Sequence, residues 1–205
     1  MTGRHLLPLV TALLLGIGES PVRLPGHDTA EFSQAIDTTV VLETSMGDIR
    51  IRMLTDRAPL TVANFLQLVE SGFYDEMLFH RVVRDFAVQA GVLGMEGDVR
   101  GLEVPPIHNE ASRRTLNRRG SVAMARTDDP HSATTEFFIN VRDNPELDAQ
   151  IFPKRVWGFT VFGEVTNGMD VVDEISRLKT KKAGPFPNFP ETPVAIYRAR
   201  IETVP

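Results

Sequence analysis

Two apolar periodicities alternate along the chain. The runs 39–44 and 48–53 are β-rich and, with Val41, Ile49 and Ile51, in near alternation, and Ser45-Met46-Gly47 stands between them; this predicts a β-hairpin. Pro59 then stands at a favoured first-turn position, Val62, Phe65, Leu66 and Val69 recur at helical spacing, and Gly72 supplies a stop, which predicts a first helix. Strands are predicted over 77–83, 86–90, 121–125, 137–141 and 160–165, with long loops across the glycine-, proline- and arginine-rich stretch 91–120. A second helix is expected over 169–178, carrying Val172, Ile175 and Leu178 on one face, with Lys179, Lys181 and Lys182 suited to its negative end. Pro185, Pro187, Pro190 and Pro193 read as a rigid connection, and 194–201 as a closing alternating strand. Many short strands with two helices and no repeat argue for a mainly β barrel capped by helices; periodicity alone does not separate it from a sandwich.

The N-terminus has a different pattern. Arg4 and His5 precede an apolar run over 6–17, too short for the ~20 residues a membrane span needs but suited to a secretory signal. Gly16, Gly18 and Ser20 are small residues of the kind found at a cleavage site, and Pro21, Pro25, Gly26 and Asp28 break any periodicity beyond it. The expected organisation is a signal peptide or uncleaved signal-anchor over 1–20, a linker over 21–37 and a folded domain over 38–205. The expected location is periplasmic or exported, with membrane anchoring through the N-terminal segment as the alternative.

Composition narrows the chemistry. The 205 residues are 42% hydrophobic and 24% charged, which excludes wholesale disorder. A net charge of -5 disfavours a dedicated nucleic-acid binder. With no cysteine, disulfides, thiolate metal sites and cysteine nucleophiles are excluded. His5, His27, His80, His108 and His131 form no metal-ligand spacing, and no metal or cofactor is expected. Arg113, Arg114, Arg118 and Arg119 form a basic cluster that reads as a solvated loop, with contact to a phosphate or an acidic partner as the alternative.

Three ordered blocks remain: Phe79-His80-Arg81-Val82 running on to Gly91, Gly120 to Arg126 with Ser132 to Asn140, and Val161-Phe162-Gly163-Glu164-Val165 with Gly168 to Val172. In this order they resemble the cyclophilin-type peptidyl-prolyl cis-trans isomerases, bacterial form, from about Thr39 to the C-terminus. The resemblance implies an eight-stranded antiparallel closed β-barrel capped by two α-helices, with the site on its outer face. It implies Arg81 as the catalytic arginine; Phe86, Phe138 and Leu147 as walls of a proline pocket; Gln89 beside the arginine; Ala125 and Arg126 as peptide-binding strand positions; and Phe159 where relatives carry histidine or tyrosine. It also exposes departures. Ala87 replaces a pocket methionine, Glu136 a glutamine, and Glu146 an aromatic; Arg84-Asp85 replaces a Pro-Gly or Asn-Gly pair, and Ala90 a glycine. A pocket emptier on one side and more acidic is expected, with Glu136 pairing Arg81 or Arg126 and either diverting or locking the donor.

The expected partners are proline-containing peptides and unfolded clients, with no nucleic acid, and the chain is expected to be a monomer. The leading expectation is an isomerase that assists folding of exported proteins. The alternative is a weakly active or inactive module that holds Pro-containing segments as a chaperone.

Overall fold

The computed structural model describes residues 38–101, 103–150 and 156–203. The signal and linker expected over 1–37 lie outside the described residues. The strands are β1 (Thr38–Thr44), β2 (Gly47–Met53), β3 (Met77–Leu78), β4 (Arg81–Val83), β5 (Ala87–Ala90), β6 (Ser121–Met124), β7 (Phe137–Asn140), β8 (Val161–Asn167), β9 (Thr180–Ala183), β10 (Phe186–Pro190) and β11 (Ala195–Thr203). The helices are α1 (Pro59–Glu70) and α2 (Met169–Ser176), and a single 3₁₀ turn spans Pro145–Leu147.

One antiparallel sheet runs in the order β3-β11-β1-β2-β8-β6-β7-β5-β4. Its first and last members are the two halves of one chain segment, broken at Phe79 and His80. Phe79 N–H donates to Val194 on the β11 side (2.9 Å), and His80 N–H donates to Gln89 on the β5 side (3.1 Å). The sheet therefore closes on itself through residues 77–83, and the expected eight passages appear as nine strands because one is interrupted.

Side-chain alternation separates two apolar layers. Val122, Met124, Phe137, Ile139 and Phe162 point into the main core, whereas Ala123, Phe138 and Val161 form an outer cluster with Leu54 and Ala87. Unbroken apolar runs such as Phe137-Phe138-Ile139 arise because those strands are covered on both faces.

The helices stop the barrel. Phe65 of α1 is fully buried, with ring centroids 4.9 Å from Phe162, 5.0 Å from Tyr74 and 5.4 Å from Phe137. No side chain of α1's own start caps it; Glu110 instead accepts from the N–H groups of Leu60 (3.1 Å) and Thr61 (2.8 Å), placing a carboxylate at the positive helix end. Val172 and Ile175 of α2 are fully buried.

Two expectations are corrected. The proline-rich stretch is not a plain connection: β9 and β10 form a two-stranded ribbon, turning at Gly184 (φ +55°). A two-stranded ribbon leaves one side of each strand unpaired, so Pro187 and Pro190 cost it little. Lys181 and Lys182 belong to β9, and α2 has no basic residue in its last turn.

Candidate active site

β4 and β5 pair so that Arg81 lies opposite Gln89, and β5 and β7 pair so that Gln89 lies opposite Phe138. This register puts the three side chains in one row on the outer face. Around them a pocket of about 240 Å³ is lined by Arg81, Phe86, Gln89, Ala125, Arg126, Phe138, Leu147 and Phe159. Phe138 and Phe159 meet edge to face at 5.6 Å. The Arg81 guanidinium lies 5.8 Å from the Phe86 ring and that of Arg126 lies 4.6 Å from the Phe159 ring, so both cations border the apolar walls.

A relay fixes the half-buried Arg81. Its Nη1 donates to Gln89 Oε1 (3.2 Å), and Gln89 Nε2 donates to Glu136 Oε2 (2.6 Å). His80 Nε2, on a nearly buried ring, lies 3.3 Å from the same carboxylate oxygen. Burial pulls Arg81 below its ordinary value while the Glu136 charge opposes it; an arginine starts high enough to stay cationic. Burial works to raise Glu136. The His80 hydrogen bond and charge, the Gln89 amide and the Arg81 charge outweigh it, and the carboxyl is held below its usual range.

Of the residues singled out from sequence, Arg81, Phe86, Gln89, Ala125, Arg126, Phe138, Leu147 and Phe159 come together in the pocket. Ala87, Glu136 and Glu146 do not line it. Ala87 is 1% exposed and packs in the outer apolar cluster behind the walls. Glu136 sits behind Gln89 and hydrogen-bonds neither Arg81 nor Arg126, contrary to the pairing expected of it. Glu146 turns outward to Arg142 (2.8 Å), whose guanidinium lies 5.9 Å from the Phe86 ring. The extra acidity expected of the pocket is thus spent on neighbours rather than displayed in it.

Sequence reasoning missed two supports. His80, whose place in the sequence offers no metal-ligand spacing, holds Glu136, with Phe186 of the β10 ribbon 5.1 Å from its ring. A ladder of buried asparagines also escaped notice. Asn144 donates to the Phe86 carbonyl (3.1 Å) and to Asn140 Oδ1 (2.7 Å), Asn140 to Asn117 Oδ1 (3.2 Å), and Asn117 to the Leu147 carbonyl (3.1 Å). Three pocket-wall segments are thereby tied together from behind. The only available signal was the Asn140–Asn144 spacing, which carries no meaning by itself.

Comparisons with known proteins agree with this geometry. Residues 39–201 match the family described as cyclophilin type peptidyl-prolyl cis-trans isomerase/CLD. Peptidyl-prolyl cis-trans isomerase A of Dickeya dadantii is 43% identical over 171 residues, covering 83% of this chain and 87% of that protein. Peptidyl-prolyl cis-trans isomerase B of Escherichia coli is 45% identical over 158 residues, covering 77% and 95%. Among solved structures, a cyclophilin-type isomerase of Cryptosporidium parvum superimposes with a TM-score of 0.67 at 21% identity, covering 82% of this chain and 99% of that one, a likeness of fold. The same protein has been solved in the presence of the dipeptide Ala-Pro, with a TM-score of 0.66. With a curled antiparallel barrel, a pocketed arginine on its outer face and these relatives, the chain belongs to the cyclophilin-type peptidyl-prolyl cis-trans isomerase family, whose members isomerise X-Pro bonds.

Proposed function

We propose that this chain performs its family's isomerisation with Arg81 as the group that acts on the twisting amide. An X-Pro bond rotates slowly because rotation breaks amide resonance, a barrier of about 20 kcal/mol. A catalyst needs only to bind the twisted amide better than either planar form. As the amide twists, its nitrogen lone pair leaves conjugation and becomes an acceptor, and a fixed guanidinium can donate to it. Phe86, Phe138, Leu147 and Phe159 form apolar walls for the proline ring, while Ala125 and Arg126 border the path of the peptide backbone. The presence of Ala-Pro with the Cryptosporidium relative agrees with a proline-containing ligand class.

The observation that carries the reading is Arg81 held at an aromatic pocket by the Gln89–Glu136–His80 relay. Exchange NMR on a short Ala-Pro peptide tests it. Arg81→Ala should lower kcat/KM by about a hundredfold or more while the circular dichroism spectrum is kept, since that is the scale of losing one aimed donor. Unchanged turnover in that variant would reject the assignment.

The proposed setting is the folding of exported proteins. It is supported by the basic flank and apolar run over 4–17 and the breakers that follow. Among the described residues, no helix is long and apolar enough to cross a membrane. Cell fractionation with mass spectrometry of the N-terminus should find the chain outside the cytoplasm, either trimmed near residue 20 or retained at the membrane. A full-length cytoplasmic form would count against it.

A further inference from the structure

We propose that an arginine-lined cleft beside the proline pocket binds an acidic stretch of the same polypeptide whose X-Pro bond is being turned over. The proposal rests on the isomerase reading above and adds a substrate class to it. The cleft measures about 620 Å³ and carries Arg52, Arg57, Arg113, Arg114, Arg118 and Arg119. Three of these are matched: Arg52 to Glu164 (2.6 Å), Arg57 to Asp56 (3.0 Å) and Arg119 to Asp173 (2.7 Å). Arg113, Arg114 and Arg118 are exposed and make no ion pair among the described residues. An otherwise acidic protein, with net charge -5, thus gathers three uncompensated guanidiniums in one concavity. Guanidinium forks of this kind suit carboxylate and phosphate groups.

The cleft and the proline pocket open on the same face. Ser121 lines the cleft, and Ala123, two residues on along β6 and so on the same side, packs in the outer apolar cluster with Phe138 of the pocket. Val122 and Met124, which alternate with them, point into the main core, and Ala125, just past the strand, lines the pocket. Leu54 and Val161 line the cleft and belong to the same outer apolar cluster as Phe138. The two concavities are therefore neighbours on a continuous apolar floor. Four residues of extended strand cover about 13 Å, so an extended client reaches from one site to the other in about four to six residues.

The loop that carries the free arginines is anchored to the pocket wall. Asn117, 1% exposed, donates to the Leu147 carbonyl and accepts from Asn140. A polypeptide is favoured over nucleic acid because the net negative charge repels a polyanion arriving from solution. A client already held by its proline meets the cleft at high effective concentration instead.

The test uses three X-Pro peptides with one core sequence: a neutral flank, a triple-glutamate run four to six residues before the proline, and the same run after it. Exchange NMR should show kcat/KM about five- to tenfold higher for at least one acidic peptide at low salt, collapsing towards the neutral value at about 0.5 M salt. The triple variant Arg113→Ser, Arg114→Ser, Arg118→Ser should remove the gain and leave the neutral peptide unchanged. Equal turnover of all three peptides, or a gain that survives in the triple variant, would overturn the proposal. So would a single-stranded oligonucleotide that competes for the cleft better than the acidic peptides. Amide shifts over 113–119 report acidic-peptide binding separately from turnover. A chain that binds the acidic peptide yet fails to turn over the neutral one would sink the isomerase reading and not the cleft.

Discussion

A guanidinium has no lone pair to offer and a carboxylate no hydrogen to give, so Arg81 and Glu136 set the direction of the Gln89 amide from both sides. Glu136 can only accept, so Gln89 must turn its NH₂ to it and its carbonyl oxygen to Arg81. A glutamine at 136 could still accept from Gln89, whose direction Arg81 alone would keep, but it would lack the charge that strengthens the bond. On the Arg81 assignment proposed above, Glu136 would act as a positioning residue, holding the relay behind the donor rather than diverting it. Because its pKa is depressed, the ordering is fully present above the ordinary carboxylate range of about 4.3 and is lost as pH falls through the lower folded value. Isomerase activity should therefore fall on the acid side, below about pH 5, as Glu136 takes up its proton. In Glu136→Gln, kcat/KM should drop about three- to tenfold at pH 7, the scale of one weakened hydrogen bond, and the acid limb should flatten. Superimposable pH profiles would show that the carboxylate does not aim the arginine.

At the level of elements, the end of β5 is pressed against the strand entry that carries Glu136. Gly91 has φ +110°, and a Cβ there would come 2.4 Å from the Thr135 carbonyl oxygen and 2.9 Å from the Glu136 Cα. Thr135 returns the contact by donating to the Gly91 carbonyl (2.8 Å), and its own carbonyl accepts from Tyr74 (2.9 Å). Gly91→Ala should cost about 2–4 kcal/mol through this backbone collision, read as a lowered denaturation midpoint, and should impair turnover in the molecules that still fold. A midpoint equal to wild type would refute the crowding. The same elements show what was legible in advance. β2 and α1 could be read from their periods because each has one buried face, whereas β1 buries Val40, Val41 and Leu42 in succession and sends Val40 and Leu42, not Val41, into the main core. The outward aim of Phe138 could not be read, since both neighbours are apolar, and only the resemblance placed it in a pocket. The β9–β10 ribbon is hidden in the sequence because proline normally ends a strand and here sits in one paired on a single side. The relay escaped because Glu136 is 47 residues from Gln89 and only the β5–β7 register joins them. The basic cluster was visible at 113–119, but nothing in its spacing says that Arg52 and Arg57 gather beside it.

For the whole molecule, closure depends on the shortest strands in the ring. β3 has two residues and β4 three, so the 77–83 segment holds the barrel shut with few ladder bonds on either side. Its side chains make up for the short ladders: Met77, Phe79 and Val82 are at most 1% exposed and Leu78 and His80 are buried, so the seam opens only with the core behind it. Arg81 and His80 ride on it, together with both halves of the closure. Heat or denaturant that parts this seam would carry the guanidinium away from the aromatic pocket and open the core with it, even where the longer β11–β1, β1–β2 and β2–β8 ladders still hold. On the Arg81 assignment proposed above, the inactivation curve should overlie the circular dichroism melt, which makes the rate itself a thermometer of the core; activity lost well before that signal would show the seam parting alone.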